Sequence, residues 1–245
     1  METPHVLWYD VVLAMADDAW IIGHRGSEWL ALAPDLEEDL ALSSISQDEM
    51  GHAQRLYALL EEFGAPSPES QVYERPAEDW RHARLVARPL GDWADWVVRR
   101  YLFETFDAVR RNQLRHIPWP ALQEALNTIE REERFHRRHF ETWMDLLAHG
   151  GPESRQRLGA AVASYWPELP DLLSWGVETG PLGLEPNAVQ ESWTATVKAQ
   201  WLAWDIPWPG DPVPVPGRRN GLDPEFKALL EEMRSVRQIA PLSSW

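Results

Sequence analysis

Two short stretches of this chain repeat one arrangement: Asp48-Glu49-Met50-Gly51-His52 and Glu132-Glu133-Arg134-Phe135-His136. Residues three apart on a helix share a face one turn apart, so each glutamate and its histidine can address a single point. Two such pairs, with one further carboxylate from each of two other helices, form the ligand set of a carboxylate-bridged di-metal site inside a four-helix bundle. Carboxylates can bridge two hard cations, and one neutral imidazole per metal fixes geometry. A single Glu-x-x-His is weak, since about one is expected by chance in such a chain. Two in the middle thirds of long helical stretches are a stronger signal. The acid before each motif glutamate, Asp48 or Glu132, lies four residues from the histidine, which predicts only an ordinary helical side-chain pair.

The remaining carboxylates must come from other helices. Glu104 lies in Tyr101-Leu102-Phe103-Glu104-Thr105-Phe106, an acid among apolar and aromatic residues, and is the third-helix candidate. In the first helix Asp17 and Asp18 sit among Ala14, Met15, Ala19, Trp20 and Ile21. Asp18 is preferred over Asp17 and Glu28, because Glu28 falls close to the turn before Pro34. The expected metal ligands are therefore Asp18, Glu49, His52, Glu104, Glu133 and His136. Phe103, Phe106 and Phe135 are candidates to line the cavity, although apolar positions at helical spacing are more often plain core. His139 reads as a neighbour of the site or as exposed; His24, His82, His116 and His149 read as solvated.

The elements that must hold these residues are helical. Periodicity predicts helices from about Val6 to Gly23 and from Pro34 to Phe63, where Gly64 and Pro66 stop the second. Asp35, Glu37, Glu38 and Asp39 complement the positive end of its dipole. Residues 64–90 carry four prolines and form a long crossover with a short helical piece. A third helix fits Asp92 to His116 and a fourth Pro120 to His149, completing an all-α, ferritin-like four-helix bundle over residues 5–149. Further helices fit Pro152 to Trp175, Glu185 to Trp204 and, after a proline-rich loop from Pro207 to Gly217, Asp223 to Ile239. They form a C-terminal extension over residues 152–245 of the same domain.

Composition removes other chemistries. The 245 residues include no cysteine, which excludes disulfides, thiolate sites and iron–sulfur clusters and suits a cytoplasmic protein. A formal net charge of -16 disfavours nucleic acid and anionic lipid as partners. The sequence has no run of 18 apolar residues, so no membrane span is expected, and its first ten residues do not read as a signal peptide. The fifteen tryptophans, several beside prolines or helix ends (Trp119, Trp166, Trp208), read as ring packing at helix junctions.

At these residues the chain resembles the ferritin-like subunits of bacterial phenylacetyl-CoA oxygenase, the ring 1,2-epoxidase. Similarity to the C-type subunit runs nearly end to end. It includes Ala16-Asp17-Asp18, Gly23-His24-Arg25-Gly26-Ser27-Glu28-Trp29, Ala33-Pro34-Asp35-Leu36-Glu37, Gly91-Asp92-Trp93-Ala94-Asp95 and Asn220-Gly221-Leu222 through Trp245. The C-type subunit pairs with the catalytic A-type chain and commonly lacks several iron ligands. Here, however, Gln47 to His52 and Glu132 to His136 resemble the A-type metal motifs, with Glu104 at the matching spacing. The resemblance thus implies Glu49, His52, Glu104, Glu133 and His136 as ligands. Asp18 departs from the glutamate that the catalytic subunit uses. It further implies two iron ions, with manganese possible, electrons from a partner reductase, companion subunits in a homo- or hetero-oligomer, and a CoA-thioester substrate. Three functions follow: an oxygenase subunit that epoxidises the ring of phenylacetyl-CoA or a related thioester, a structural subunit of the same complex, or a stand-alone di-iron or di-manganese oxidase or ferroxidase.

Overall fold

The computed structural model describes residues 4–174, 187–215, 218 and 220–239. Four long helices make the core: α1 (Pro4–Ser27), α2 (Leu36–Leu60), α5 (Trp93–Leu114) and α6 (Pro120–Ala148). Between α2 and α5 lie the short helices α3 (Pro68–Tyr73) and α4 (Arg84–Ala87), which occupy the expected crossover. After α6 come α7 (Pro152–Tyr165), α8 (Leu169–Leu172), α9 (Ala188–Ala203) and α10 (Pro224–Ile239). The described residues contain no strand, and the architecture is the all-α, ferritin-like one expected.

Local chemistry sets the boundaries. The Asp35 carboxylate accepts from the Glu38 amide at 2.9 Å and caps α2. At the other end the chain tightens into a 3-10 turn and stops at Gly64, whose φ of 85° suits glycine. Asp92 and Asp95 form a reciprocal capping box at the start of α5. Pro120 opens α6, where a missing N–H costs nothing. α1 runs one turn past the Gly23 limit expected from sequence. The distal parts of two other expected segments, Trp175 and Glu185 to Pro186, lie outside the described residues, as do Pro216, Gly217 and Trp245.

α1 packs along α2, α5 along α6, and α2 meets α6 across the bundle. α7 and α9 cover α5, which explains why α5 is buried almost all round, with Trp96, Val97, Tyr101, Leu102 and Phe103 all inaccessible or nearly so. Trp166, Trp193, Trp201 and Trp208 pack edge-to-face and tilted where α7, α9 and the following loop meet, as the proline-flanked tryptophans predicted. Among the described residues no helix is long and apolar enough to cross a membrane.

Candidate metal centre

Glu49, Glu104, Glu133 and His136 come from α2, α5 and α6, and each offers a ligand atom within 4.8 Å of the others. His52, also on α2, joins them: its Nδ1 stands 3.2 Å from Glu133 Oε1 and 4.0 Å from Glu49 Oε2. His136 Nδ1 is 3.3 Å from the same Glu133 oxygen. The two imidazole centroids are 6.1 Å apart. All five residues are buried. Five of the six residues expected from sequence are therefore brought together, by the interior faces of three helices.

The histidines are oriented from outside by each other's motif. His52 Nε2 is 2.7 Å from Glu132 Oε2, and His136 Nε2 is 3.1 Å from Asp48 Oδ2. Each acid thus crosses between α2 and α6 to the opposite histidine. The helical spacing of four masks this pairing, because only the tertiary register places position 48 opposite 136. With Nε2–H donated outward, each Nδ1 points at the carboxylates, which hold a proton on it that an incoming metal ion would have to displace.

Asp18 stands elsewhere. Its carboxylate accepts from the Ala83 amide at 2.7 Å, from Arg110 at 2.7 Å and from Arg218 at 2.5 Å. Asp17 accepts from Tyr57, the Arg81 amide and Arg75, and Glu28 pairs with Arg25 near the end of α1. None of the three joins the cluster. The face of α1 toward it presents Met15 and Ala19, which border a gap of about 10 Å³ beside Glu49, His52 and Glu133. Gly23 also lies there: a Cβ on it would meet Glu49 Cβ at 2.9 Å. At Gly23 the helix approaches too closely for a side chain, and the positions facing the cluster carry the apolar Met15 and Ala19 instead of an acid.

The plain reading of Glu104 as a helix-face acid near Arg100 holds in part, since the two do pair; the reach of Arg100 to Glu49 and the approach of Arg111 were missed. Arg100 Nη2 donates to Glu49 Oε1 at 2.7 Å and also to Glu104 Oε1. Arg111 approaches Glu133 Oε2 at 3.4 Å while engaging Asp107. Arg100 precedes Glu104 by four residues and Arg111 follows it by seven, so a helical projection of α5 carries the signal. Burial raises the Glu49 carboxyl, and repulsion from Glu133 adds to it, outweighing Arg100 and the imidazoles. Burial likewise holds Glu104 well above its ordinary range. Glu133 falls well below, because Arg111 and both imidazoles overcome its burial. His52, which burial alone would depress, is raised to about 9 by Glu133, Glu49 and Glu132.

Three buried atoms in this cluster have no hydrogen-bond partner: His52 Nδ1, Glu104 Oε2 and Glu133 Oε2. Buried polar atoms left bare are costly, and these three are of the types that bind hard or borderline cations. The residues present therefore fit a metal ion.

Expectations for three other residues change. Phe135 is 67% exposed and lines no cavity, since it lies on the outer side of α6. Phe106 is buried, but stacks with Arg110 and Arg218 rather than facing the cluster; Phe103 does border it. His82 is wholly buried, not solvated, with its ring 4.1 Å from that of Phe226. A cavity of about 480 Å³, bordered by Leu158, Val162, Trp166, Trp204 and Ile206, lies between α7 and the segment after α9 and includes none of the cluster residues.

A family model described as phenylacetic acid catabolic protein matches residues 5–245. Among curated proteins, the C-type subunit of 1,2-phenylacetyl-CoA epoxidase from Escherichia coli (strain K12) is 24% identical over 240 residues, covering 95% of this chain and 97% of that protein.

Proposed function

Because the chain belongs to the phenylacetic acid catabolic protein family, we propose that it is a cytoplasmic subunit of an oxygenase acting on phenylacetyl-CoA or a related CoA thioester. In this reading it works with companion subunits and a reductase, and Glu49, His52, Glu104, Glu133 and His136 hold metal. One observation carries the metal assignment. The bare His52 Nδ1, Glu104 Oε2 and Glu133 Oε2 converge from three helices, while both histidines are engaged at Nε2 by Glu132 and Asp48.

Bound iron or manganese would supply redox chemistry toward dioxygen, with electrons drawn from the partner reductase. The chain's own residues do the rest. Asp48 and Glu132 hold the Nε2 protons outside, so that Nδ1 is the atom each ring would offer to a metal ion. Leu56, Phe103 and Ile129 border the cluster with apolar surface and exclude bulk water. The gap beside the cluster, about 10 Å³, takes at most a water molecule. An aromatic ring needs far more room, so ring chemistry at this cluster requires the assembled complex or an opening of α2 from α6.

A structural role in the same complex is the second reading. It is favoured by Arg100 and Arg111 beside the carboxylates and by the engagement of Asp17 and Asp18 away from them. Metal analysis separates the two. After iron-replete expression the purified chain is expected to contain bound metal that survives gel filtration and is lost in Glu133→Ala with the helical spectrum unchanged. Metal-free wild-type protein would leave the structural role. Turnover is expected only when companion subunits and reductase are added.

A further inference from the structure

Resting on the metal-binding reading above, the geometry points to Arg100 as a built-in replacement for one of two cations, so that the cluster takes a single divalent ion.

The guanidinium does what a bridging cation does. One nitrogen, Nη2, contacts carboxylates from two helices, Glu49 on α2 and Glu104 on α5. The side chain is 1% exposed. Its Cζ lies 5.0 Å from the Phe140 ring centroid, 5.8 Å from Trp96 and 5.9 Å from Phe103. These rings surround the planar cation and leave it no path to solvent. The atoms without an aligned hydrogen bond are others: Glu104 is engaged through Oε1 and open at Oε2, while Glu133 Oε2 and His52 Nδ1 have only ion-pair contacts, at 3.4 Å to Arg111 and 3.2 Å to Glu133 Oε1. The cluster therefore has one side taken by Arg100 and one side of unsatisfied donors.

Charge gives the same count. Glu49, Glu104 and Glu133 carry three negative charges when ionised; Arg100 cancels one, and Arg111, 3.4 Å from Glu133 Oε2, is matched by its own partner Asp107. One divalent cation neutralises the remainder; a second would leave two uncompensated positive charges in a buried site, which low-dielectric surroundings penalise heavily. The nearest other buried acids offer no relief. Asp107 is held by Arg110 and Arg111, and Asp18 by Arg110 and Arg218. On α1, Asp17 is likewise engaged away from the cluster, by Tyr57, Arg75 and the Arg81 amide.

The test uses the full chain, stripped of metal and reloaded anaerobically with Mn(II), with manganese per chain measured after desalting and the spin state read by electron paramagnetic resonance. Wild type is expected to hold one equivalent with the spectrum of an isolated ion. Arg100→Gln should hold two, with an exchange-coupled spectrum, and Arg100→Lys, which keeps the charge, should hold one. Two equivalents in wild type would overturn the role of Arg100 while leaving metal binding intact. One equivalent in a folded Arg100→Gln would also overturn it. No manganese in wild type would instead remove the metal-binding reading, and this inference with it. If Arg100→Gln fails to fold, the apolar Arg100→Met takes its place with the same two outcomes, two equivalents upholding the proposal and one overturning it.

Discussion

Asp48 and Glu132 do the same task from opposite helices. Each sits beside a glutamate of the proposed metal cluster on its own helix yet contacts the histidine of the other, at 3.1 Å and 2.7 Å. A carboxylate at Nε2–H fixes the tautomer and raises the basicity of Nδ1. Asp48→Asn and Glu132→Gln are each expected to weaken metal binding by about 10–100-fold, the usual cost of losing such a partner. Competition against a chelator measures this directly. The half-exposed position of both acids means that folding stability should change little, since exposed pairs contribute only about 0–1 kcal/mol. An affinity unchanged in both variants would show that the rings are held by packing alone.

At the scale of elements, the contact of α1 with α2 governs what can occupy the centre. Gly23 lets the helices close: a Cβ there would meet Glu49 Cβ at 2.9 Å, the Ser46 carbonyl at 3.1 Å and Met50 Cγ at 3.3 Å. In a helix, Gly→Ala normally stabilises by about 1 kcal/mol. Overpacking typically costs about 1–3 kcal/mol, and two of these three neighbours are a backbone carbonyl and a Cβ, which cannot swing away. The crowding term wins, so Gly23→Ala should lower stability and shift Glu49. Gly51 on α2 faces open space, so Gly51→Ala should raise stability by about 0.5–1 kcal/mol. Urea denaturation of the two variants checks the opposite signs.

Over the whole molecule, buried ion pairs tie distant segments together. Asp18 joins α1 to Arg110 of α5 and to Arg218 near the C-terminus, 200 residues away. Arg218 also reaches the Leu172 carbonyl, and the Asn220 amide reaches the His82 carbonyl. Gly221 packs so closely on the Ala77 carbonyl that no side chain fits. Inside this junction His82 is enclosed, and neither ring nitrogen has a hydrogen-bond partner. Burial lowers its pKa to about 3; Asp18 opposes this, while Arg218 and Arg75 reinforce it. The unfolded chain takes up the proton near the ordinary value of about 6.5, so between about pH 6.5 and 3 the unfolded state binds more protons than the folded one. Stability therefore falls as the pH drops through that window. His82→Phe, which keeps the stacking on Phe226, should make the fall in melting temperature from pH 7 to pH 4.5 shallower. An identical fall in both proteins would assign acid lability to other groups.

Much of this was legible in the residues themselves. Periodicity, the Asp35 and Asp92 caps and Gly64 set the four long helices, because helix limits depend on contacts a few residues apart. The two Glu-x-x-His motifs and Glu104 were legible for the same reason: a fixed helical spacing puts each pair on one face, and an acid among aromatic residues must be buried. The fates of Asp18, Asp48, Arg100 and Glu132 were decided only in three dimensions. A carboxylate takes whichever cation the packed helices bring to it, and Arg110 and Arg218 lie 92 and 200 residues from Asp18. The sequence by itself determined the helices and the inward-facing carboxylates and imidazoles; the tertiary register determined which charges meet, because Coulomb and hydrogen-bond energies depend on distances in space and not on positions along the chain.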